Sequence, residues 1–338
     1  MVAWLGFILL TAVIGVAGYY LSVYGDRIAE LTGLSRGWIG LALLASVTSL
    51  PELVTGVSSV TVAGVPNIAV GDVLGSCVFN LAMIVLLDLF SRRESVYTRA
   101  SHGHILGAGF GVMLIGLAGF NILLAQQGPQ PVIGHVGLYT PVILILYLVA
   151  LRTVFVYESN HVPQGIDTVQ AAGGAEGDVT TIKHASYRFA LAAAVVVGAA
   201  VALPFVAEEL ARQMGWSNSF VGTVFVALST SLPELAVTLA ALRLGSVELA
   251  IGNLFGSNLF NIAILAVDDL FFLEGPLLSH VTSMHAVSAF SAMMMSGVAI
   301  VGLLFRPRLR LFRAMGWVSI ALFLMYFLNG FVLFMYGY

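Results

Sequence analysis

The chain has 338 residues, 59% of them hydrophobic and only 9% charged, with a formal net charge of −3 and a mean hydropathy of +0.99. A soluble domain carries about 25% charged residues, so this chain cannot cover a water-facing surface, and its sparse charge offers no binding face to nucleic acid. Its single cysteine, Cys77, excludes an internal disulfide and a cysteine-rich metal site.

A helix that crosses ~30 Å of hydrocarbon needs ~20 apolar residues. Ten such runs follow one another, near 3–23, 38–60, 67–90, 103–125, 136–157, 186–207, 219–242, 247–271, 281–305 and 313–336. No Lys or Arg precedes the first run and no A-x-A site follows it, so it is read as a retained helix, not a cleaved leader. The expected fold is all-α: a polytopic membrane protein with ten transmembrane helices. The Gly-rich, polar segment 158–185 is read as a flexible cytoplasmic linker between a first five-helix unit, 1–157, and a second, 186–338. With the N-terminus outside, every basic residue except Arg212 falls on the inner side, which predicts an integral cell membrane protein with both termini outside.

The two units repeat each other. Residues 26–54 lie over 208–236 without a gap, and after one extra residue in the first unit, 67–90 lie over 248–271. The motif regions span 37–90 and 219–271. Inside them, Thr48-Ser49-Leu50-Pro51-Glu52-Leu53 recurs as Thr230-Ser231-Leu232-Pro233-Glu234-Leu235. Because five helices is an odd number, the second copy enters the membrane from the opposite face. The result is two inverted five-helix repeats, an arrangement that places substrate sites at the repeat interface near the midplane.

The repeated motif carries the chemistry. An intramembrane charge costs at least ~2.5–3.5 kcal/mol, which makes Glu52 and Glu234 functional candidates by default. Pro51 and Pro233 must break or kink their helices, freeing the carbonyls of Val47 and Ser229 and disturbing neighbours such as Ala45 and Ala227. Thr48, Ser49, Thr230 and Ser231 add hydroxyls. Carboxylates, hydroxyls and carbonyls without nearby His or Cys suit a hard cation such as Ca²⁺. In the following helix Asp72, Ser76 and Asn80 are spaced i, i+4, i+8 and share a face, repeated by Asn253, Ser257 and Asn261. Gly71, Gly75, Gly252 and Gly256 allow close helix approach.

These two blocks resemble the paired repeats of the cation/calcium exchanger superfamily, in its prokaryotic sodium/calcium exchanger-like form, whose pattern is roughly GTSLPEL followed by GNxxGSNxFN. The resemblance spans most of the chain. It implies antiport of Ca²⁺ against Na⁺ by alternating access, with H⁺ as counter-ion in other branches. The ions bind as substrates and no cofactor is implied. By position, Glu52 and Glu234 are the shared Ca²⁺ and counter-ion ligands. Thr48, Ser49, Thr230 and Ser231 supply hydroxyl or carbonyl oxygens, Ala45 and Ala227 backbone oxygens, Ser76 and Ser257 outer Na⁺ sites, and Asn80 and Asn261 lie near the centre. The chain departs from the pattern at Val47 and Ser229, where Gly is usual, at Asp72 in place of Asn, and at Cys77 opposite Asn258. Some sodium-linked members carry Asp where Asn261 stands. The proton-coupled branch typically has Glu around Gly75 and Gly256, and its absence favours Na⁺ here, whereas Asp72 keeps an H⁺-coupled Ca²⁺ or other divalent cation antiporter as the alternative.

Asp88 and the Asp268-Asp269 pair are read as helix-end residues near the membrane surfaces, or else as acids that draw cations into two vestibules. The histidines are read as interfacial or solvated, and the basic run 306–313 as a topology determinant near lipid headgroups. A cation channel would more naturally use several subunits. An intramembrane aspartyl protease would need a second Asp in a context matching that of Asp72. No protein partner is inferable.

Overall fold

The computed structural model describes residues 2–31, 45–91, 95–100, 103–161, 182–243, 245–307, 310–311 and 315–337. In chain order its principal helices are α1 (Val2–Leu31), α2 (Leu50–Ala63), α3 (Pro66–Phe90), α4 (Gly103–Ala125), α5 (Tyr139–His161) and α6 (Ile182–Met214). They are followed by α7 (Asn218–Thr230), α8 (Leu232–Arg243), α9 (Val247–Phe271), α10 (His285–Phe305) and α11 (Trp317–Tyr336). Two small antiparallel hairpins were not foreseen. One pairs β1 (Val132–Ile133) with β2 (Val136–Gly137) ahead of α5, and the other pairs β3 (Arg310–Leu311) with β4 (Met315–Gly316) ahead of α11.

Among the described residues, 8 helices are long and apolar enough to cross a membrane, or 9 if α7 and α8 form one span bent by 46°. The remaining expected span, near 38–60, falls partly on residues 32–44, outside the described residues. Its described part is residues 45–49 followed by α2. The midpart of the linker, 162–181, and the basic residues Arg36, Arg92, Arg93, Arg308 and Arg313 also lie outside them.

The centre of the molecule is built from α3 and α9, whose apolar windows are 72% and 83% buried against 28%, 22% and 28% for α1, α5 and α11. Leu74, Leu81, Leu254 and Ile262 pack there in one continuous core with α4 and α10. Peripheral helices turn side chains such as Ile8, Ile145, Leu148 and Phe331 outward, as lipid contact requires. The α1–α6 pair has its own apolar clusters, one around Phe7, Ile14 and Leu203 and another around Leu21 and Val196.

Local sequence explains the irregular points. Pro204 lies inside α6 and cannot donate to the carbonyl of Ala200. That carbonyl instead accepts the Thr55 hydroxyl of α2 at 3.4 Å, and the Ser58 hydroxyl reaches the carbonyl of Val201 at 2.9 Å. The last turn of α2, Ser59–Ala63, is π-helical, and a π turn takes up a single added residue. This is the extra residue of the first repeat. Both helix hairpins then turn at equivalent glycines in the left-handed region, Gly64 at φ 67° and Gly245 at φ 80°.

Two histidines correct the sequence reading. His285 opens α10 fully buried, with Nε2 3.1 Å from Asn67 Oδ1, and His104 is buried with Nε2 2.8 Å from Glu248 Oε2. The N-terminal ends of α10 and α4 are each covered by a neighbouring helix, α3 and α9, which linear position cannot show.

Candidate functional site

The repeated motif forms the same local break twice. Ser49 has φ −87° and ψ 15°, Ser231 φ −85° and ψ 11°, and a proline follows each within the first turn of the next helix. The backbone N–H of Ser49 donates to Ala45 O at 3.0 Å and that of Ser231 to Ala227 O at 3.1 Å. The hydroxyls of Thr48 and Thr230 lie 3.1 and 3.3 Å from the same two carbonyls. An ion that used the Ala45 carbonyl would therefore compete with the Thr48 hydroxyl.

Across the break the two halves hold each other reciprocally. Ser49 Oγ donates to Glu234 Oε1 at 2.8 Å, and Ser231 Oγ donates to Glu52 Oε1 at 2.9 Å. Exchanging the repeats carries one bond into the other. Both glutamates are fully buried, and among the described residues the second oxygen of each, Oε2, has no hydrogen-bond partner. The two carboxylates are near enough to interact electrostatically. A buried charge without a partner is strongly unfavourable, so the pair is stable either with a cation between the two acids or with protons on them.

The face of α3 and its counterpart on α9 supply the walls. Asp72, Ser76, Asn80, Asn253, Ser257 and Asn261 are all fully buried. Ser76 Oγ stands 3.0 Å from Ser231 Oγ, and Asp72 Oδ1 accepts the Thr230 hydroxyl at 2.8 Å. Asn253 departs from this symmetry: its amide donates to Thr238 Oγ1 of α8 at 3.3 Å. Among the described residues Asp72 Oδ2, Asn80 Oδ1, Ser257 Oγ and both polar atoms of the Asn261 amide have no hydrogen-bond partner. Several uncommitted oxygens thus join the two glutamate oxygens. Among the described residues no group of three His, Cys, Asp or Glu gathers to hold a metal; the donor set is mostly hydroxyl and amide, the kind hard cations take.

Sequence reasoning missed Asn258. Its side chain accepts from Asn80 Nδ2 at 3.0 Å and donates to Cys77 O at 3.3 Å, tying α9 to α3 at their crossing. The mismatch between Cys77 and Asn258 in otherwise matching blocks was the available signal. The glycines explain how close the helices come. A Cβ on Gly75 would lie 2.3 Å from Thr223 O and 2.7 Å from Thr223 Cα, and one on Gly71 3.0 Å from Thr223 N, whereas one on Gly256 would meet Ala45 Cβ at 3.4 Å.

Asp88 and Asp269 are not cation-drawing vestibule acids. Asp88 is fully buried and accepts from Ser95 Oγ, Val96 N, Gly316 N and Ser319 Oγ at 2.8–3.3 Å. Asp269 is equally buried and accepts from Gly137 N, Tyr139 Oη, Thr140 Oγ1 and Leu277 N. Each fastens the end of a central helix to the hairpin that precedes α11 or α5.

The family profile described as sodium/calcium exchanger protein matches residues 2–157 and 184–335. The chain is 26% identical over 280 residues to the sodium/calcium exchanger MaX1 of Methanosarcina acetivorans, covering 73% of this chain and 77% of that protein. Its fold is similar to that of the sodium-calcium exchanger NCX_Mj, with a TM-score of 0.61 at 23% identity and 97% of both chains covered. It is also similar to the H⁺/Ca²⁺ exchanger CAX, with a TM-score of 0.70 at 16% identity, covering 98% of this chain and 86% of the other.

Proposed function

The chain belongs to the sodium/calcium exchanger protein family, and from that premise we propose that it is a secondary active antiporter exchanging Ca²⁺ for Na⁺ by alternating access. The observation that carries the proposal is the reciprocal Ser49–Glu234 and Ser231–Glu52 pairing, which leaves one oxygen of each buried glutamate uncommitted. Two carboxylates neutralise one Ca²⁺. Thr48, Ser49, Thr230, Ser231, Asn80 and Asn261, with the Ala45 and Ala227 carbonyls, complete its oxygen shell, and Ser76 and Ser257 serve Na⁺. Ca²⁺ and a small number of Na⁺ ions then compete for the same charge, which couples their movements.

Two features support Na⁺ over H⁺. Na⁺ needs a cage of neutral oxygens, and neutral oxygens predominate around Glu52 and Glu234. The Glu that the proton-coupled branch carries around Gly75 and Gly256 is absent here, and a side chain on Gly75 would collide with Thr223 backbone atoms. Asp72 supports the second reading, an H⁺-coupled exchanger, since it adds a third buried carboxylate beside Thr230.

In proteoliposomes loaded with Na⁺, an outward Na⁺ gradient should drive ⁴⁵Ca²⁺ uptake while a protonophore holds the pH gradient at zero. Uptake that ignores Na⁺ and requires a pH gradient transfers the assignment to the proton exchanger. Glu52→Gln and Glu234→Gln should each abolish exchange at unchanged melting temperature, and near-normal flux in either variant removes the proposed site.

A further inference from the structure

We propose that Asp268 is a further cation-coordinating residue, placed between the glutamate pair and the membrane face at which α2 and α9 end, where it holds Ca²⁺ on its way to or from the central site. The proposal rests on the exchanger reading above.

Asp268 is fully buried, and among the described residues neither carboxylate oxygen has a hydrogen-bond partner. Its neighbour Asp269 accepts four donors, so the two adjacent acids have different tasks. Asp268 lies seven residues beyond Asn261, which returns it to the same face of α9 two turns further along. Its carboxylate rests on α2 at Gly56, where a Cβ would lie only 2.4 and 2.6 Å from its two oxygens. Gly56 in turn follows Glu52 by four residues, one turn and about 6 Å along α2. Asp72, whose Oδ2 is also unpartnered, is within electrostatic range of Asp268. The three acids thus succeed one another from the site towards one face.

The repeat itself supplies a control. The equivalent of Asp268 in the first half is Leu87, fully buried and apolar, and the equivalent of Gly56 is Thr238, which fills its place and bonds Asn253. The architecture is therefore satisfied by Leu and Thr at this pair of positions. In one half only, a carboxylate has been introduced and the side chain opposite it removed. The Asp72–Asn253 difference falls on the same side. A buried carboxylate that no protein donor meets is costly, and a cation passing between Asp268 and Asp72 supplies the missing charge.

The test is the apparent Ca²⁺ affinity at each face, measured in proteoliposomes of determined orientation. Asp268→Asn should weaken it about tenfold, or ~1.4 kcal/mol, at the face where α9 ends, and much less at the other. Gly56→Ala, which displaces the Asp268 carboxylate without removing it, should shift the same face in the same direction. Unchanged affinities at both faces, an equal change at both, or a fall in maximal rate alone overturns the proposal. If Asp268→Asn lowers the melting temperature, Gly56→Ala decides by the same readout. Glu52→Gln separates the two levels: exchange lost there while the Asp268 and Gly56 variants are silent defeats this inference alone, whereas exchange retained in Glu52→Gln defeats the exchanger reading beneath it.

Discussion

At the scale of the residue, the buried acids divide by what surrounds them. Glu52, Glu234, Asp72 and Asp268 each keep at least one unpartnered oxygen, whereas four protein donors converge on each of Asp88 and Asp269. Removing an acceptor from buried donors leaves all of them unsatisfied. Asp88→Ala and Asp269→Ala should therefore each cost ~3 kcal/mol or more, read as a lower melting temperature in detergent with ion selectivity unaltered. Retained stability with altered Ca²⁺ affinity would return these acids to the vestibule. Asp88, Asp268 and Asp269 look alike in the sequence, because an Asp two turns past the site face reads the same whether or not donors await it. Ser95, Val96 and Leu277 are local donors, but Gly137, Tyr139, Thr140, Gly316 and Ser319 lie 129 to 231 residues away along the chain.

At the scale of the element, the paired glycines and prolines set the distance between helices. Gly71 and Gly75 of α3 lie on the backbone of α7 at its π-helical turn, Gly222–Val226. Thr223 O sits 2.3 Å from the position of a Gly75 Cβ, and main chain cannot rotate away as a side-chain tip does. Gly75→Ala should cost ~2–3 kcal/mol by overpacking and reduce Ca²⁺ exchange by separating Ser76 from Ser231. Gly109 of α4 faces open space, so Gly109→Ala should be neutral or stabilise by up to ~1 kcal/mol. Equal melting temperatures and fluxes for the two variants would show that the close contact has no consequence. The glycine spacing was legible as a sign of close approach; that the partner is α7 in one half and Ala45 in the other emerges only when the helices are packed.

At the scale of the molecule, the two repeats are not independent domains. Ser49 holds Glu234, Ser231 holds Glu52, Asn80 holds Asn258, Thr55 reaches the Ala200 carbonyl freed by Pro204, and Ser58 reaches that of Val201. All of these bonds cross from one repeat to the other. Residues 1–157 and 186–338, produced as separate chains in one cell, should together restore Na⁺-driven Ca²⁺ exchange to within about tenfold of the intact chain. Either half alone should show none. Transport by a single half would contradict a site shared between repeats.

The sequence by itself determined the membrane environment, the doubled motif and the identity of the paired glutamates. Hydrophobicity over some twenty residues and the repetition of six letters are local signals that survive any packing. It also placed the helix break, because a proline lacks its donor wherever the helix lies. Only the tertiary structure decided which oxygens are committed and which are spare, since hydrogen-bond satisfaction depends on groups brought together from opposite repeats. It therefore turned Asp88 and Asp269 into fasteners, buried His285 beside Asn67, and set Asp268 without donors against the one glycine of α2 that leaves it space.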